Sequence, residues 1–333
     1  SLVQDTTYTI NGNDIFDIAY KAAYSRNTAD VSYLFVNSMY YGNDGWREYP
    51  IKKITVPDNV KRIGAYCFYD CTALNELVIP DSVEMIDSYA LGGCFGIKNL
   101  TVPVDVCSRA YFDAENLMNV NFTYGRTGIM PEFDDQYTAS WYNEYESIVR
   151  GGSIRSTLAT VKFDDEITYI GDNTFYNCSG LYNVKFPASL KTIGKSAFEN
   201  CMNLTDVTLP DGVYNLKENA FSHCNMLETI YLPDSIGELG ENCFYADGQL
   251  TIDKIPSNIK KIGEWCFAHT NGFKDNTLVI PDTVEEIGEN ALYNTNVENL
   301  TLCCDLKLNE VYYDFYREAM MEGGIPALGF NDD

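Results

Sequence analysis

Seven prolines of this 333-residue chain fall on a step of 23: Pro57, Pro80 and Pro103, then Pro187, Pro210, Pro233 and Pro256. A fixed period of that size marks a supersecondary unit too small to bury its own apolar face, so successive units must stack. The expected architecture is a right-handed solenoid with one core growing along an axis, although length alone would suggest two ordinary domains. Catalytic readings weaken at once, because the recurring positions hold residues that set shape.

The residues around each proline say how one unit folds. Leu74, Leu77, Ile79, Pro80, Val83, Ile86, Ala90-Leu91 and Cys94 return as Leu181, Val184, Phe186, Pro187, Leu190, Ile193, Ala197-Phe198 and Cys201. They return again as Leu227, Ile230, Leu232, Pro233, Ile236, Leu239 and Cys243-Phe244. The alternation at Leu77 and Ile79 has period two, which predicts a short strand with both side chains inward. Proline has no N–H to donate, so it ends the ladder, and the Asp or Ser after it suits a turn. Gly64, Gly171, Gly194, Gly240, Gly263 and Gly288 lie seven residues past the proline position. There the chain needs either a positive φ or close approach to the next coil. Equivalent strands of about nine coils should pair in parallel, about 4.8 Å apart. Short turns or helical segments are expected on the opposite, convex side.

The pattern L-x-x-[LIV]-x-[LIV]-P-[DS]-x-[VIL]-x-x-I-G-x-x-[AC]-F-x-x-C covers roughly residues 51–305. It resembles the BspA-like, or Treponema pallidum type, class of leucine-rich repeats. The resemblance implies a leucine-rich repeat solenoid with a parallel β-sheet on its concave face. It implies an extracellular or cell-surface protein of an anaerobic mucosal or gut bacterium, serving adhesion or binding. The implied partner is a protein, such as host matrix or another cell-surface protein, or a glycan.

Around the repeats (51–124 and 158–305), residues 1–50 read as an N-terminal cap with a helix over Asp14–Ser25 and a strand over Val31–Val36. Residues 306–333 read as a C-terminal cap with a helix over Asn309–Met321. Terminal repeats need such covers. Between them, residues 125–157 interrupt the period. Here Phe133, Tyr137, Trp141 and Tyr145 recur every four residues, an aromatic stripe on one helix face that either docks on the coils or projects as a binding surface. Three coils depart from the pattern. The one from Ile97 is short, Asp164 replaces a proline, and Asp253 occupies an inward position in the coil from Leu250, predicting a bulge or shifted strand. Asn271–Asp275 then lengthens that coil.

The chain carries 48 acidic against 23 basic residues, a net charge of −25, which disfavours nucleic acid as a partner. No run of apolar residues is long enough to span a membrane. Nucleophile-elbow, zincin, P-loop and paired C-x-x-C motifs are absent, and no cofactor is expected. Cys266-x-x-His269 offers half a zinc site without a second half, and Asp164-Asp165-Glu166 matches no calcium loop, so no metal is expected. Of the 11 cysteines, Cys71, Cys94, Cys178, Cys201 and Cys224 lie 14 residues past the proline position, and Cys67, Cys243 and Cys266 lie 10 past it. That is the pattern of a ladder of buried free thiols. Cys303-Cys304 fits neither row.

Outward side chains of the sheet lie two and four residues before the proline position. They include Lys53, Lys162, Lys185, Tyr231 and Lys254, with Ile252 beside Lys254 and with threonines and asparagines elsewhere. Four lysines against two carboxylates, Glu76 and Asp206, in so acidic a chain make this face a plausible platform for a partner. Threonine is also simply a good strand residue. The expected protein is a monomeric, non-enzymatic binding or adhesion protein, the alternative being a spacer or presenting module within a larger surface protein. An enzyme would need a sugar site lined by Tyr137, Trp141 and Tyr145 with Glu144 or Asp135 as acid, and nothing supplies a second carboxylate.

Overall fold

A computed structural model describes residues 157–303 throughout, most of 52–128, and the backbone of two short strands at Thr7–Thr9 and Tyr33–Leu34. The expected cap helices, the aromatic stripe at Phe133, Tyr137, Trp141 and Tyr145, Asp135, Glu144, Gly64, Cys67 and Cys304 lie outside the described residues. The chain divides into two compact units, Ser1–Ile167 and Thr168–Asp333.

In the first unit the main strands pair in parallel and in chain order: Thr7–Thr9, Lys53–Thr55, Glu76–Val78, Asn99–Pro103, Asn119–Thr123 and Thr160–Phe163. Tyr33–Leu34, Arg62–Ile63 and Met85–Ile86 form a second parallel ladder. Residues 1–50, read as a cap, therefore supply one strand to each sheet.

The second unit repeats the plan. Its main sheet pairs Asp206–Thr208, Thr229–Tyr231, Thr251–Ile252 and Gly272–Phe273, followed by Thr277–Ile280 with Asn299–Leu302. Its second ladder runs Tyr169–Ile170, Thr192–Ile193, Asn215–Leu216, Glu238–Leu239, Lys261–Ile262 and Glu286–Ile287, every step parallel. Where short turns or helical segments were expected, the coil makes a second two-residue strand and then an arc of turns. Five of these six strands bury one apolar residue each, Ile170, Ile193, Leu216, Leu239 and Ile262, and in the last Ile287 is half-buried. The stacked parallel coils are the solenoid that the proline period predicts.

Proline closes the main strand by a turn. The carbonyls of Pro187, Pro210 and Pro233 each accept the N–H three residues on at 3.1 Å. Asp164 makes the same turn to Ile167 at 3.1 Å, and its N–H also donates to Phe122 at 2.8 Å, which a proline could not do. Pro103 differs, because it ends a five-residue strand that runs straight into the 3-10 helix Val104–Arg109.

Of the two reasons offered for the recurring glycine, close approach is the operative one. A Cβ on Gly240 would lie 2.4 Å from the Glu218 nitrogen, and one on Gly263 2.5 Å from that of Glu241. Positive φ falls elsewhere, on two residues per coil in the arc: Asn173 and Asn177, Ser196 and Asn200, Asn219 and His223, Asn242 and Ala246, Trp265 and His269, Asn290 and Asn294. These kinks aim every second amide at the next coil. Asn219, Phe221 and His223 donate to Glu241, Cys243 and Tyr245 at 2.8, 2.9 and 2.9 Å. Asparagine dominates because its short polar side chain tolerates the left-handed region, which costs other residues about 1–2 kcal/mol.

The core repeats with the backbone. Phe175, Phe198, Phe221, Phe244 and Phe267 stack ring on ring at 5.2, 5.2, 6.0 and 5.6 Å. Ala197, Ala220, Cys243 and Cys266, each fully buried, fill the space beside them. Cys71, Cys94, Cys178, Cys201, Cys224, Cys243 and Cys266 are buried thiols outside any disulfide, whereas Cys303 is exposed. The thiols of Cys94, Cys201 and Cys224 donate to the Phe68, Phe175 and Phe198 carbonyls at 2.9, 3.3 and 3.2 Å, so the ladder is hydrogen-bonded as well as packed.

Candidate functional site

Parallel register sets the outward side chains of the main sheet in rows that run from coil to coil. In the first unit one row reads Lys53, Glu76, Asn99, Asn119, Thr160. Lys53 pairs with Glu76. The Asn119 amide donates to the Asn99 carbonyl oxygen at 2.8 Å, and the Thr160 hydroxyl donates to Asn119 at 2.6 Å. The adjoining row ends on the exposed Lys162.

In the second unit the row reads Asp206, Thr229, Thr251. Thr229 donates to Asp206 at 2.7 Å, and Asn271 donates to the Thr251 hydroxyl at 2.9 Å. Beside it, Thr208 neighbours Tyr231, whose side chain is among the most exposed large ones at 48%. The Tyr231 hydroxyl donates to Asp211 at 3.3 Å, and that carboxylate is the main cause of a raised phenol pKa. Lys254 grips both oxygens of Asp234 at 2.8 and 2.9 Å. This bond lowers the carboxyl and raises the ammonium from their ordinary values. The Lys274–Asp253 pair, at 2.8 Å, does the same.

Two of the expected lysines, Lys53 and Lys254, are thus already partnered by carboxylates of neighbouring coils. Lys162 and Lys185 are exposed, and among the described residues neither has a carboxylate within ion-pair distance. Half of the lysine charge of the face is thus matched within it, by pairs formed across about one coil.

The coil from Leu250 makes the shifted strand and bulge that Asp253 predicts. Ile252, expected outward, is fully buried opposite Ile230, and Asp253, expected inward, is exposed. Pairing of Thr251 with Thr229 starts the strand one residue early, and Lys254 is the surplus residue before Ile255 and Pro256. That bulge lets Lys254 turn back to Asp234. The extra residues after it are not merely a loop. Gly272–Phe273 pairs with Thr251–Ile252, and Phe273 is buried edge-on to Phe267 at 5.5 Å.

Two features of the arc escaped sequence reasoning. Counting 14 residues from Pro233 reaches Asp247, a carboxyl in the thiol row, fully buried. The second is a cluster of rings, in which Tyr245 meets His223, Trp265 and His269, and Tyr293 meets Trp265 and His269. Cys266 and His269 do not converge, since the thiol is buried and the imidazole lies 2.9 Å from the Asn294 amide. Among the described residues no three His, Cys, Asp or Glu side chains gather as a metal site, and no helix is long and apolar enough to cross a membrane.

The family described as "BspA type Leucine rich repeat region" matches this chain over residues 42–132, 154–274 and 238–318, in 6 copies. The chain belongs to the BspA-type leucine-rich repeat family. Solved structures similar to this BspA-type chain include a leucine-rich repeat protein from Bacteroides ovatus, 20% identical, over 84% of this chain and 66% of that one, with a TM-score of 0.46. Another is the T. pallidum leucine-rich repeat protein, 20% identical, over 66% and 76% of the two chains, at 0.30. A third is a leucine-rich cell surface protein from Faecalibacterium prausnitzii, 18% identical, over 86% and 85%, at 0.28. No curated protein matches the chain. For a BspA-type repeat the rows on the sheet are the surface in which the architecture leaves side chains free to vary, since inward positions are fixed by packing.

Proposed function

We propose that this chain is a non-enzymatic binding protein of the cell surface or its exterior, engaging a protein or glycan partner through the outward face of its main sheets. The observation that carries the reading is the linked row Asp206–Thr229 beside Tyr231 and the Lys254–Asp234 pair. Its side chains are held by one another before any partner arrives, so ordering them costs little on association. Polar hydroxyls and amides flank one exposed aromatic ring, the composition of an adaptable recognition surface. Lys162 and Lys185 add positive charge to a face in an otherwise strongly acidic chain, and this favours an acidic or neutral partner by electrostatic complementarity. Phe133, Tyr137, Trp141 and Tyr145 of the inserted segment are proposed as a second contact.

The test begins with a binding screen of the immobilised protein against host-matrix proteins and mucosal glycans. Affinity for the partner so found is then compared with that of Tyr231→Ala and of Lys162→Glu/Lys185→Glu/Lys254→Glu. About a tenfold loss in each, with the melting temperature held, is expected. Unchanged affinity in both would overturn the proposal and leave the spacer reading.

A further inference from the structure

We infer that the arc of the second unit is a separate docking surface for an arginine- or lysine-bearing segment of a protein partner. The inference starts from where the repeat breaks its own backbone rule. One left-handed position per coil reads Asn173, Ser196, Asn219, Asn242, Trp265, Asn290, and the other reads Asn177, Asn200, His223, Ala246, His269, Asn294. Asparagine holds seven of these twelve positions, Ser196 and Ala246 are small, and Trp265, His223 and His269 carry rings at φ of 53°, 59° and 60°. The indole of Trp265 is strained at such a φ, which histidine adopts more readily, and strain kept at one place points to use.

The three ring-bearing positions converge. Tyr245 lies 5.4 Å from His223, 6.2 Å from Trp265 and 5.5 Å from His269, and Tyr293 lies 5.5 Å from Trp265 and 5.3 Å from His269. None of these pairs stacks face to face, and all five rings are half-buried rather than sealed into the core.

Charge selects the occupant. Beside the rings run Glu218, Glu241, Glu264 and Glu289, one per coil. Glu218 is paired with Lys195 at 3.2 Å, whereas Glu241, Glu264 and Glu289 have no basic partner among the described residues. Glu264 accepts the Trp265 indole N–H at 3.0 Å, which places a carboxylate at the edge of the central ring. Aromatic faces beside unneutralised carboxylates match a guanidinium or ammonium group, which gains cation–π attraction and an ion pair together. A neutral sugar would leave that charge uncompensated. On the sheet face of this unit, by contrast, Lys254 and Lys274 are paired with Asp234 and Asp253 and Lys185 stands exposed as a cation, so the two surfaces suit different partners.

The test titrates fluorescent hexa-arginine into the protein at physiological ionic strength, read by anisotropy. Trp265→Asn should weaken binding about tenfold and Glu264→Gln about fivefold. Glu228→Gln, an equal charge change on the main-sheet side, should alter it less than about twofold. Trp265→Asn should also hold or raise the melting temperature, because it restores the repeat's own residue at that φ, so misfolding cannot mimic the loss. Equal affinity in all four proteins would overturn the inference and reduce the attraction to net charge. Trp265-dependent binding of a neutral oligosaccharide such as maltohexaose, with hexa-arginine indifferent to Trp265, would overturn it in favour of a glycan.

Discussion

The carboxyl of Asp247 accepts the backbone N–H of Cys224, one coil earlier, at 2.7 Å, while its second oxygen is buried without a donor among the described residues. Burial raises the acid well above its ordinary pKa, with the Cys224 hydrogen bond opposing it in part. Cys224 and Cys243 are the other ionisable groups coupled to it, and burial raises both of those thiols too. The folded chain therefore keeps a proton on Asp247 that the unfolded chain releases near pH 4. Stability from this group is greatest below that pH and falls as pH rises towards the folded-state pKa.

Asp247→Asn and Asp247→Cys should therefore raise the melting temperature at pH 7 by a few degrees. The gap between variant and wild type should widen as thermal melts are taken from pH 4 to pH 7. Asp247→Cys restores the ladder, whose thiols can bond a carbonyl as Cys224 bonds Phe198. A gap that is constant with pH would show that Asp247 does not hold its proton.

Two glycines should respond oppositely to alanine. At Gly263 the new methyl would press on backbone atoms of the preceding coil at 2.5–2.6 Å, and Gly263→Ala should cost about 1–3 kcal/mol. At Gly237 the nearest atom is the Tyr214 oxygen at 3.9 Å, and Gly237→Ala should be neutral or stabilise by about 0.4–1 kcal/mol. Urea denaturation of the two variants checks both signs.

Phe221 is fully buried between Phe198 and Phe244. Phe221→Ala removes a ring from the middle of the column and should cost about 3–5 kcal/mol by chemical denaturation.

Cys201, Cys224, Cys243 and Cys266 are buried, and burial raises the first three thiols well above their ordinary pKa. Iodoacetamide applied to the native protein should label Cys303 and spare these four, as peptide mass spectrometry will show; in denaturant all five should react.

The strands, the proline turn, the phenylalanine column and most of the thiol row were legible because each repeats a side-chain type at a fixed place. The second ladder was not, since two residues are too few to display a period and Thr192–Ile193 or Glu238–Leu239 reads equally well as a turn. The arc's left-handed positions could have been found from the recurrence of Asn173, Asn219 and Asn242, a signal of backbone rather than burial. In the coil from Leu250 the out-of-place Asp253 announced the shift, but the proline frame still set Ile252 outward, because pairing with Thr229 and burial of Ile252 fix the register and the proline does not. Ion pairs such as Lys254–Asp234 were hidden for another reason. Which carboxylate a lysine meets depends on the coil behind it, and in this case on a one-residue bulge.

The most direct test of the binding account is a bulky charge placed within the outward row. Thr208 is exposed beside Tyr231, and Thr208→Arg should weaken the partner found by the screen at least about tenfold without lowering the melting temperature. Asn215→Arg, on the second ladder, should leave that affinity unchanged. Full binding by Thr208→Arg, or an equal loss in both variants, would contradict the assignment of the main sheet as the binding face.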